Sequence, residues 1–188
     1  MPILDHFELL APFYDRVIKL QDVEKLVQYA GLPTPGIILD AGGGTGRVAQ
    51  ALKDYAGQVI IADASAGMLR QAKLKDGLRT VCSETERLPF PDNLFDRVIM
   101  VDALHHVIDQ ESTVSELFRV LKPEGRILIE EPDIRLFSVK LVALAEKLAF
   151  MRSHFLSPQS IAALFSAKDA RVQIAKDGFN SWVIAEKI

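Results

Sequence analysis

The residues best suited to chemistry form a glycine-rich turn between an apolar segment and a helix-like segment. In IILDAGGGTGRVA, glycines recur at alternate positions, at Gly42, Gly44 and Gly46. Glycine adopts backbone conformations that other residues avoid, and it lets a ligand approach the main chain closely. The helix after the turn would present unpaired amide hydrogens to an anionic group. The alternative interpretation is a tight strand-to-helix turn that binds nothing.

Acidic residues follow the ends of three successive apolar segments and could recognise a nucleoside. Asp40 precedes the turn, Asp63 ends the next segment, and Glu84 follows the third. Asp63 lies about twenty residues beyond Gly44, where an acid can accept hydrogen bonds from both hydroxyls of a ribose. Glu84 could accept a hydrogen bond from an adenine amino group. Capping of the helix from Ser65 onward is the alternative role for Asp63.

The turn also fits the dinucleotide pattern G-x-G-x-x-A through Gly44, Gly46 and Ala49. An NAD-dependent oxidoreductase is therefore the rival interpretation. Asp40 argues against it, because a carboxylate beside a pyrophosphate is electrostatically unfavourable but would suit a cationic ligand. The chain also ends in a predicted hairpin, which leaves no room for the separate substrate domain that such dehydrogenases commonly need.

Two adjacent histidines, His105 and His106, follow the fourth apolar segment, where an acceptor should approach. A histidine with a pKa near neutrality could act as a general base or orient the acceptor. A structural role in the loop is the alternative. They lack a carboxylate or cysteine at ligand spacing, so we predict no metal site. Cys82 is predicted to be a small buried residue and not a nucleophile.

These residues need a sheet whose strand ends meet at one edge, and the remaining pattern predicts one. Five apolar segments are predicted as strands buried on both faces: residues 36–40, 58–63, 78–83, 97–102 and 125–131. Helix-sized stretches separate them, which indicates a parallel sheet. Residues 171–177 and 181–187 are spaced as an antiparallel hairpin joined by residues 178–180.

Helices are predicted around these strands. Asp5 and Glu8 form a capping box for a first helix running to about residue 18, although Pro12 could break it. A second helix, over residues 22–30, should end at Gly31. Further helices are predicted at residues 46–55, 66–73, 111–121 and 134–151, and a short one at Pro158, capped by Ser157.

The composition is that of one soluble domain. The chain has 188 residues, a net charge of −3 and a single cysteine. We therefore expect no internal disulfide and a reducing, cytoplasmic location, with no secretory signal. Basic clustering is too weak to favour nucleic-acid binding. Charges interrupt the apolar stretch 134–151, so it is expected to be a packed helix and not a membrane span.

The order of these motifs resembles the class I methyltransferases, within them the group of ubiquinone and menaquinone biosynthesis C-methyltransferases. The resemblance covers most of the chain and rests on Asp63 and three blocks: ILDAGGGTGRV at 38–48, TERLPFPDNLFDRVIMVDALHHV at 85–107, and LFRVLKPEGRILIEEP at 117–132. It implies a Rossmann-like α/β fold with helices on both faces of a seven-stranded, mostly parallel sheet. The implied strand order is 3-2-1-4-5-7-6, with strand 7 antiparallel. A single domain is implied, with residues 1–30 as a helical lid and residues 36–188 as the core.

The resemblance also implies S-adenosylmethionine as the cofactor. Gly42, Gly44 and Gly46 would line its methionine and ribose part. Asp40 would lie toward the ammonium group, and Asp63 would hold the ribose hydroxyls.

The remaining roles implied by the resemblance concern the two ends of the cofactor. At the adenine, Ala64 and Met68 would pack on the ring, Glu84 would accept from the amino group, and the backbone of Thr85 would meet a ring nitrogen. Many relatives have aspartate at the position of Glu84. Near the sulfur and methionine end, the implied contacts are Asp102, Ala103 and Tyr14. For Tyr14, amphipathic packing onto the sheet is the alternative.

The expected function is methyl transfer from S-adenosylmethionine to a small, partly apolar acceptor. Displacement at a sulfonium mainly requires that the acceptor atom be placed behind the methyl. A general base is needed only for some acceptors, and the sequence does not distinguish C-, O- and N-methylation. The helix at 134–151 and the first helix could wall an acceptor pocket or form a homodimer surface. A catalytically silent cofactor-binding domain is the second alternative.

Overall fold

The computed structural model describes residue 11, residues 22–148 and residues 153–188. Within these residues the strands are β1 (Thr34–Ala41), β2 (Ala56–Asp63), β3 (Arg79–Cys82), β4 (Phe95–Val101), β5 (Leu121–Pro132), β6 (Ala170–Asp177) and β7 (Asn180–Lys187). They form one sheet of order β3-β2-β1-β4-β5-β7-β6. Strands β1 to β5 pair in parallel, whereas β7 is antiparallel to both β5 and β6. The predicted fold and strand order are confirmed.

Helices cover both faces of this sheet. In the described residues they are α1 (Val23–Ala30), α2 (Arg47–Leu52), α3 (Ala66–Ala72), α4 (Gln110–Val120), α5 (Phe137–Leu148) and α6 (Pro158–Ala163). Short 3-10 turns occupy Lys53–Tyr55 and Leu104–His106. The predicted helix at 5–18 and most of the predicted lid lie outside the described residues, as do residues 149–152 of the helix predicted at 134–151.

Local sequence explains where several helices begin and end. Helix α1 starts after Asp22, whose Oδ1 accepts a hydrogen bond from the Lys25 amide at 3.1 Å. It ends at Gly31, which is left-handed with φ of 64°. Helix α6 has Pro158 in its first turn, and the Ser157 hydroxyl accepts from the Ser160 amide at 3.1 Å. These boundaries agree with the sequence prediction.

The core lies on both faces of the central strands because alternate side chains of a strand point to opposite faces. On one face, Leu39 and Val98 pack with Leu117 of α4. On the other, Ile38 and Ile99 pack with residues of α1, α2 and α3. The sheet is thus buried on both sides, and its carboxyl edge is left to form a site.

Strand β3 departs from the sequence prediction. It pairs with β2 at one end of the sheet, and its side chains are exposed or half-buried. The prediction that Cys82 is buried is therefore wrong, since the thiol side chain is exposed. The residues of β3 resemble those of a buried central strand, so their pattern alone does not distinguish the two.

Helix α5 is less fully packed than predicted. Val139 is buried, but Phe137, Leu141 and Leu144 are exposed. Over the described part of the chain, no helix has both the length and the hydropathy that a membrane span requires.

Candidate functional site

A cleft of about 320 Å³ opens at the carboxyl ends of β4, β1, β2 and β3. This volume is at the lower end of the range for small-molecule sites. The cleft lies where the strand order reverses between β1 and β4, the usual ligand position in open α/β sheets. Its walls come from the loops that follow those four strands. The lining residues are Asp40, Gly42, Gly43, Gly44, Thr45, Arg47, Val48, Asp63, Ala64, Ser65, Met68, Glu84, Thr85, Glu86, Val101, Asp102, Ala103, His106, Val107 and Ile108.

The glycine turn presents its main chain to the cleft at Gly44. A Cβ built on Gly44 would find only the Asp63 Oδ2 atom, at 3.9 Å, so this side of the turn is open to a ligand. Gly46, also predicted to contact the cofactor, is not among the residues that line the cleft. A Cβ there would lie 2.9 Å from the Ile61 Cδ1 atom, and its φ is 77°. Glycine is therefore favoured here both by the left-handed backbone and by the close approach of Ile61, Leu78 and Ala72.

Asp63 ties the end of β2 to the glycine turn. Its Oδ2 accepts a hydrogen bond from the Gly44 amide at 2.8 Å, and its Oδ1 accepts from the Ser65 amide at 2.7 Å. The cap of α3 is Ser65, whose hydroxyl accepts from the Met68 amide. Asp63 therefore orients the turn and lines the cleft, while Ser65 performs the capping that was the alternative role for Asp63.

Asp40 is buried beneath the turn, with 2% of its surface exposed. Its Oδ2 accepts a hydrogen bond from the Ala49 amide at 3.1 Å. Burial raises the pKa of Asp40 to about 7, because desolvation of the charged form outweighs that hydrogen bond and the nearby positive charge of Arg47. Near neutral pH this carboxyl group thus exchanges between its two forms, and a cation in the cleft would favour the ionised one.

The end of the cleft that lies beside β2 and β3 is mostly apolar. Ala64, Met68 and Ile108 line it beside Glu84 and Thr85.

Ile108 is brought to this end by a link between two loops. The Glu86 Oε1 atom accepts from the amides of Ile108 and Asp109, at 2.9 and 3.3 Å. The loop after β4 is thereby fastened to the loop after β3. The arrangement suits a flat apolar group with a polar edge.

The end of the cleft beside β4 is charged. Asp102 has a φ of 52°, and its carboxylate lies 3.2 Å from the Arg47 guanidinium. Burial, and then the negative charge of Glu131, raise the pKa of Asp102. This ion pair joins the glycine turn to the loop after β4.

The two histidines have different surroundings. His106 lines the cleft, and burial together with the neighbouring His105 lowers its pKa to about 3. The expectation of a pKa near neutrality is therefore wrong for His106, which is uncharged at physiological pH. His105 does not line the cleft. It is 4% exposed, and its Nδ1 lies 2.5 Å from the Glu131 Oε2 atom.

The structure thus brings most of the predicted site residues around one cleft. Gly46 and His105 stand outside its lining, and Tyr14 lies outside the described residues. Among the described residues, no group of three or more histidine, cysteine or acidic side chains is arranged to hold a metal ion. The cofactor contacts assigned to these residues stay predictions.

Several lining residues were missed from the sequence, among them Arg47, Glu86 and Ile108. Arg47 carried a signal, because a cation in the first turn of a helix is unfavourable unless it has an acidic partner. Glu86 and Ile108 carried none, since they meet the cleft only through the contact between two loops.

Comparison with known proteins finds a matching domain family and related sequences. Residues 39–129 match the family described as a methyltransferase domain. The ubiquinone/menaquinone biosynthesis C-methyltransferase UbiE of Stutzerimonas stutzeri is 33% identical over 159 residues, which cover 78% of this chain and 62% of that protein. UbiE of Yersinia pestis is 39% identical over 104 residues, covering 50% of this chain and 41% of that protein. The chain thus spans less than two thirds of the length of these relatives.

Solved structures share the fold at lower identity. The YcgJ protein of Bacillus subtilis matches with a TM-score of 0.76 and 21% identity, covering 88% of this chain and 97% of that one. A SAM-dependent methyltransferase from Aquifex aeolicus matches with a TM-score of 0.74 and 20% identity, covering 97% of each chain. At these identities the likeness shows the fold alone.

Proposed function

Because this chain carries a methyltransferase domain and shares the fold of a solved SAM-dependent methyltransferase, we propose that it transfers a methyl group from S-adenosylmethionine to a small, partly apolar acceptor. The resemblance drawn from the sequence is confirmed at the level of the domain family. The reaction of the whole protein, its acceptor and the role of each residue are the content of the proposal.

The observation that carries the proposal is the position of Asp63. Its carboxylate faces the cleft beside the open side of Gly44, to which it is bonded at 2.8 Å. A carboxylate oxygen can accept more than one hydrogen bond, so Asp63 can accept from the hydroxyls of a ribose while it still accepts from the Gly44 and Ser65 amides. The groups on either side fit the rest of the cofactor. Met68 and Ile108 offer apolar surface to an adenine, and Asp40 offers a buried carboxyl to a cation.

When bound, S-adenosylmethionine supplies an electrophilic methyl group on a sulfonium, which departs as a neutral thioether. The protein therefore needs chiefly to hold the acceptor in line and to exclude water. His106 is placed to help, since it lines the cleft beside Ala103. With a pKa of about 3 it is a weak base, so orienting the acceptor suits it better than removing a proton.

The acceptor side of the proposal rests on apolar exposed surface. The exposed side chains of α5 include Phe137 and Leu141, and Val107 lines the cleft beside His106. Such surfaces mark contact with an apolar ligand or with another protein. An apolar acceptor and a homodimer contact both fit, and we propose the acceptor because the apolar Val107 lines the cleft next to His106.

Thermal-shift measurements with S-adenosylhomocysteine and with NADH test the proposal. At a hundredfold excess over Kd, a ligand that binds the folded protein stabilises it by about 2.7 kcal/mol. For a domain of this size that corresponds to a rise in Tm of roughly 5 to 10 °C. We expect this rise with S-adenosylhomocysteine and none with NADH. A preferential response to NADH would overturn the proposal in favour of an oxidoreductase.

The substitution Asp63→Ala tests the role proposed for Asp63. We expect the affinity for S-adenosylhomocysteine, measured by calorimetry, to fall at least about tenfold through loss of the ribose hydrogen bonds and of the Gly44 contact that orients the turn. Asp76→Ala, which removes an exposed aspartate outside the cleft, is the matched control and should leave the affinity unchanged. Equal affinities for the two variants would contradict the assignment of Asp63.

Incubation with methyl-labelled S-adenosylmethionine and fractionated small-molecule extract then tests transfer itself. Mass spectrometry should find a labelled, partly apolar product. Binding of S-adenosylhomocysteine without any labelled product would instead favour a catalytically silent cofactor-binding domain.

A further inference from the structure

We propose that Glu131 is a positioning residue, which holds the loop of residues 102–106 against the glycine turn and so determines how the methionine end of S-adenosylmethionine is bound. The inference rests on the proposed function, because it concerns the same cleft. Glu131 itself does not line the cleft, so it would act through the loop.

Glu131 forms hydrogen bonds with three consecutive residues of that loop. Its Oε1 accepts from the amides of Ala103 and Leu104, at 3.1 and 2.7 Å. Its Oε2 lies 2.5 Å from the His105 Nδ1 atom. The side chain is 4% exposed, and hydrogen bonds to a buried carboxylate are the strong kind. The amides of Ala103 and Leu104 are therefore both held by one side chain.

The sheet places Glu131 at this point. Val101 of β4 pairs with Glu130 of β5, so the next residue of β5 stands beside the residues that leave β4. The side chains of successive strand residues alternate between faces. Glu131 lies one residue beyond Glu130, and its carboxylate reaches the loop while Glu130 meets Asn180.

The loop held in this way forms one wall of the cleft. A Cβ built on Gly42 would lie 2.7 Å from the Ala103 Cβ, so this wall touches the glycine turn. Arg47 and Asp102 join the same two segments through their ion pair. A shift of the loop would therefore change the space beside Gly42 and Asp40, where the proposed function puts the methionine end.

The loop that Glu131 holds also contacts the segment after α5. The His105 ring is stacked on Phe155, with ring centres 4.2 Å apart and planes inclined by 14°. The His105 carbonyl accepts a hydrogen bond from the His154 amide at 2.7 Å. Gln110 donates from one amide nitrogen to the carbonyls of Leu104 and His154. Residues 153–155 thus rest on the loop that Glu131 holds.

Calorimetry with two ligands tests this role without knowledge of the acceptor. S-adenosylhomocysteine carries the amino-acid end, whereas 5′-methylthioadenosine shares the adenosine and sulfur but lacks that end. For Glu131→Gln we expect S-adenosylhomocysteine to bind at least tenfold more weakly and methylthioadenosine to change by less than threefold. Glu124→Gln, at an exposed position in the same strand, is the control and should change neither affinity.

The ratio of the two affinities separates positioning from a merely structural role. If Glu131→Gln weakens both ligands by the same factor, or neither, the inference is overturned while the proposed function stands. If the wild-type protein binds neither ligand, the proposed function itself fails.

A second pair of variants covers the case in which Glu131→Gln does not fold. His105→Leu removes the nitrogen that meets Glu131, whereas His105→Asn can place an amide N–H near the same point. We expect the leucine variant to lose S-adenosylhomocysteine affinity at least threefold more than methylthioadenosine affinity, and the asparagine variant to restore the ratio. Parallel losses for both ligands in His105→Leu would overturn the inference.

Discussion

Replacing Glu130 with glutamine should make the folding stability of this protein less dependent on pH. Glu130 is 6% exposed and accepts a hydrogen bond from the Asn180 side chain. Burial, followed by the nearby charge of Asp102, raises the pKa of Glu130 from 4.5 to about 8. Glutamine has nearly the same shape, can still accept from Asn180, and carries no charge at any pH.

The sign of the effect follows from where the proton binds. An acid whose pKa is raised by folding stabilises the protein fully only below its unfolded pKa, and this contribution is lost as the pH rises through the folded value. For Glu130 the loss extends from about pH 4.5 to about pH 8. Each pH unit between the unfolded and the folded pKa corresponds to about 1.4 kcal/mol, so the loss is at most about 5 kcal/mol above pH 8. At pH 5 it is less than about 1 kcal/mol.

Urea unfolding at pH 5 and pH 9, followed through the fluorescence of Trp182, measures this difference. We expect Glu130→Gln and the wild type to agree within about 1 kcal/mol at pH 5, and the variant to be more stable by about 2 to 5 kcal/mol at pH 9. The raised pKa of Asp40 is common to both proteins and cancels in the comparison. Trp182 is the single tryptophan of the chain and pairs with Glu130 across β5 and β7.

Glu24→Gln removes the same charge from an exposed position on α1 and serves as the control, with differences from the wild type below about 0.5 kcal/mol at both pH values. The reasoning is refuted if Glu130→Gln differs from the wild type by the same amount at pH 5 and pH 9, because the burial of Glu130 would then carry no electrostatic cost.

Two further predictions concern the glycine turn and the acid beneath it. Because the pKa of Asp40 is about 7, the affinity of the wild-type protein for S-adenosylhomocysteine should be about tenfold weaker at pH 6 than at pH 8. Asp40→Asn should remove this dependence on pH. If calorimetry finds the same dependence of affinity on pH in both proteins, the prediction is wrong. Gly46→Ala should destabilise by roughly 2 to 4 kcal/mol in urea unfolding, since its Cβ would meet Ile61 at 2.9 Å. Gly77→Ala, at a φ of 81° with nothing within 4 Å, should cost only about 1 to 2 kcal/mol, and equal losses would show that packing at Gly46 is not the cause.

The strand ends could be predicted from the sequence because each is marked locally. Asp40 and Asp63 terminate apolar runs, and parallel strands present their carboxyl ends at one edge of a sheet. The exposure of β3 could not be predicted from its residues, since their pattern resembles that of a central strand, whereas its place at the edge of the sheet agrees with the implied strand order. The order itself came from the resemblance and not from periodicity.

The histidines show a different limit of sequence reasoning. His105 and His106 are neighbours in a single 3-10 turn, yet one is buried against Glu131 and the other lines the cleft. The His105 ring is buried by contacts with Glu131 and Phe155, both of which are far away in sequence. Burial of His106, and then the neighbouring His105, lower the pKa of His106 to about 3, so the titration that makes histidine attractive as a base is removed by surroundings that the motif does not show.

Asp40 separates the methyl-donor and dinucleotide interpretations more sharply than the glycine pattern does. A buried carboxyl with a pKa of about 7 takes up or loses a proton according to the charge placed beside it. A ligand with a cationic group favours the ionised form, and its binding should release a proton and strengthen as the pH rises. A pyrophosphate favours the neutral form, and its binding should take up a proton and weaken as the pH rises. Since both ligand classes can occupy a glycine turn at the end of a strand, the direction of this proton exchange, measured in buffers of different ionisation enthalpy, distinguishes them where the sequence pattern alone does not.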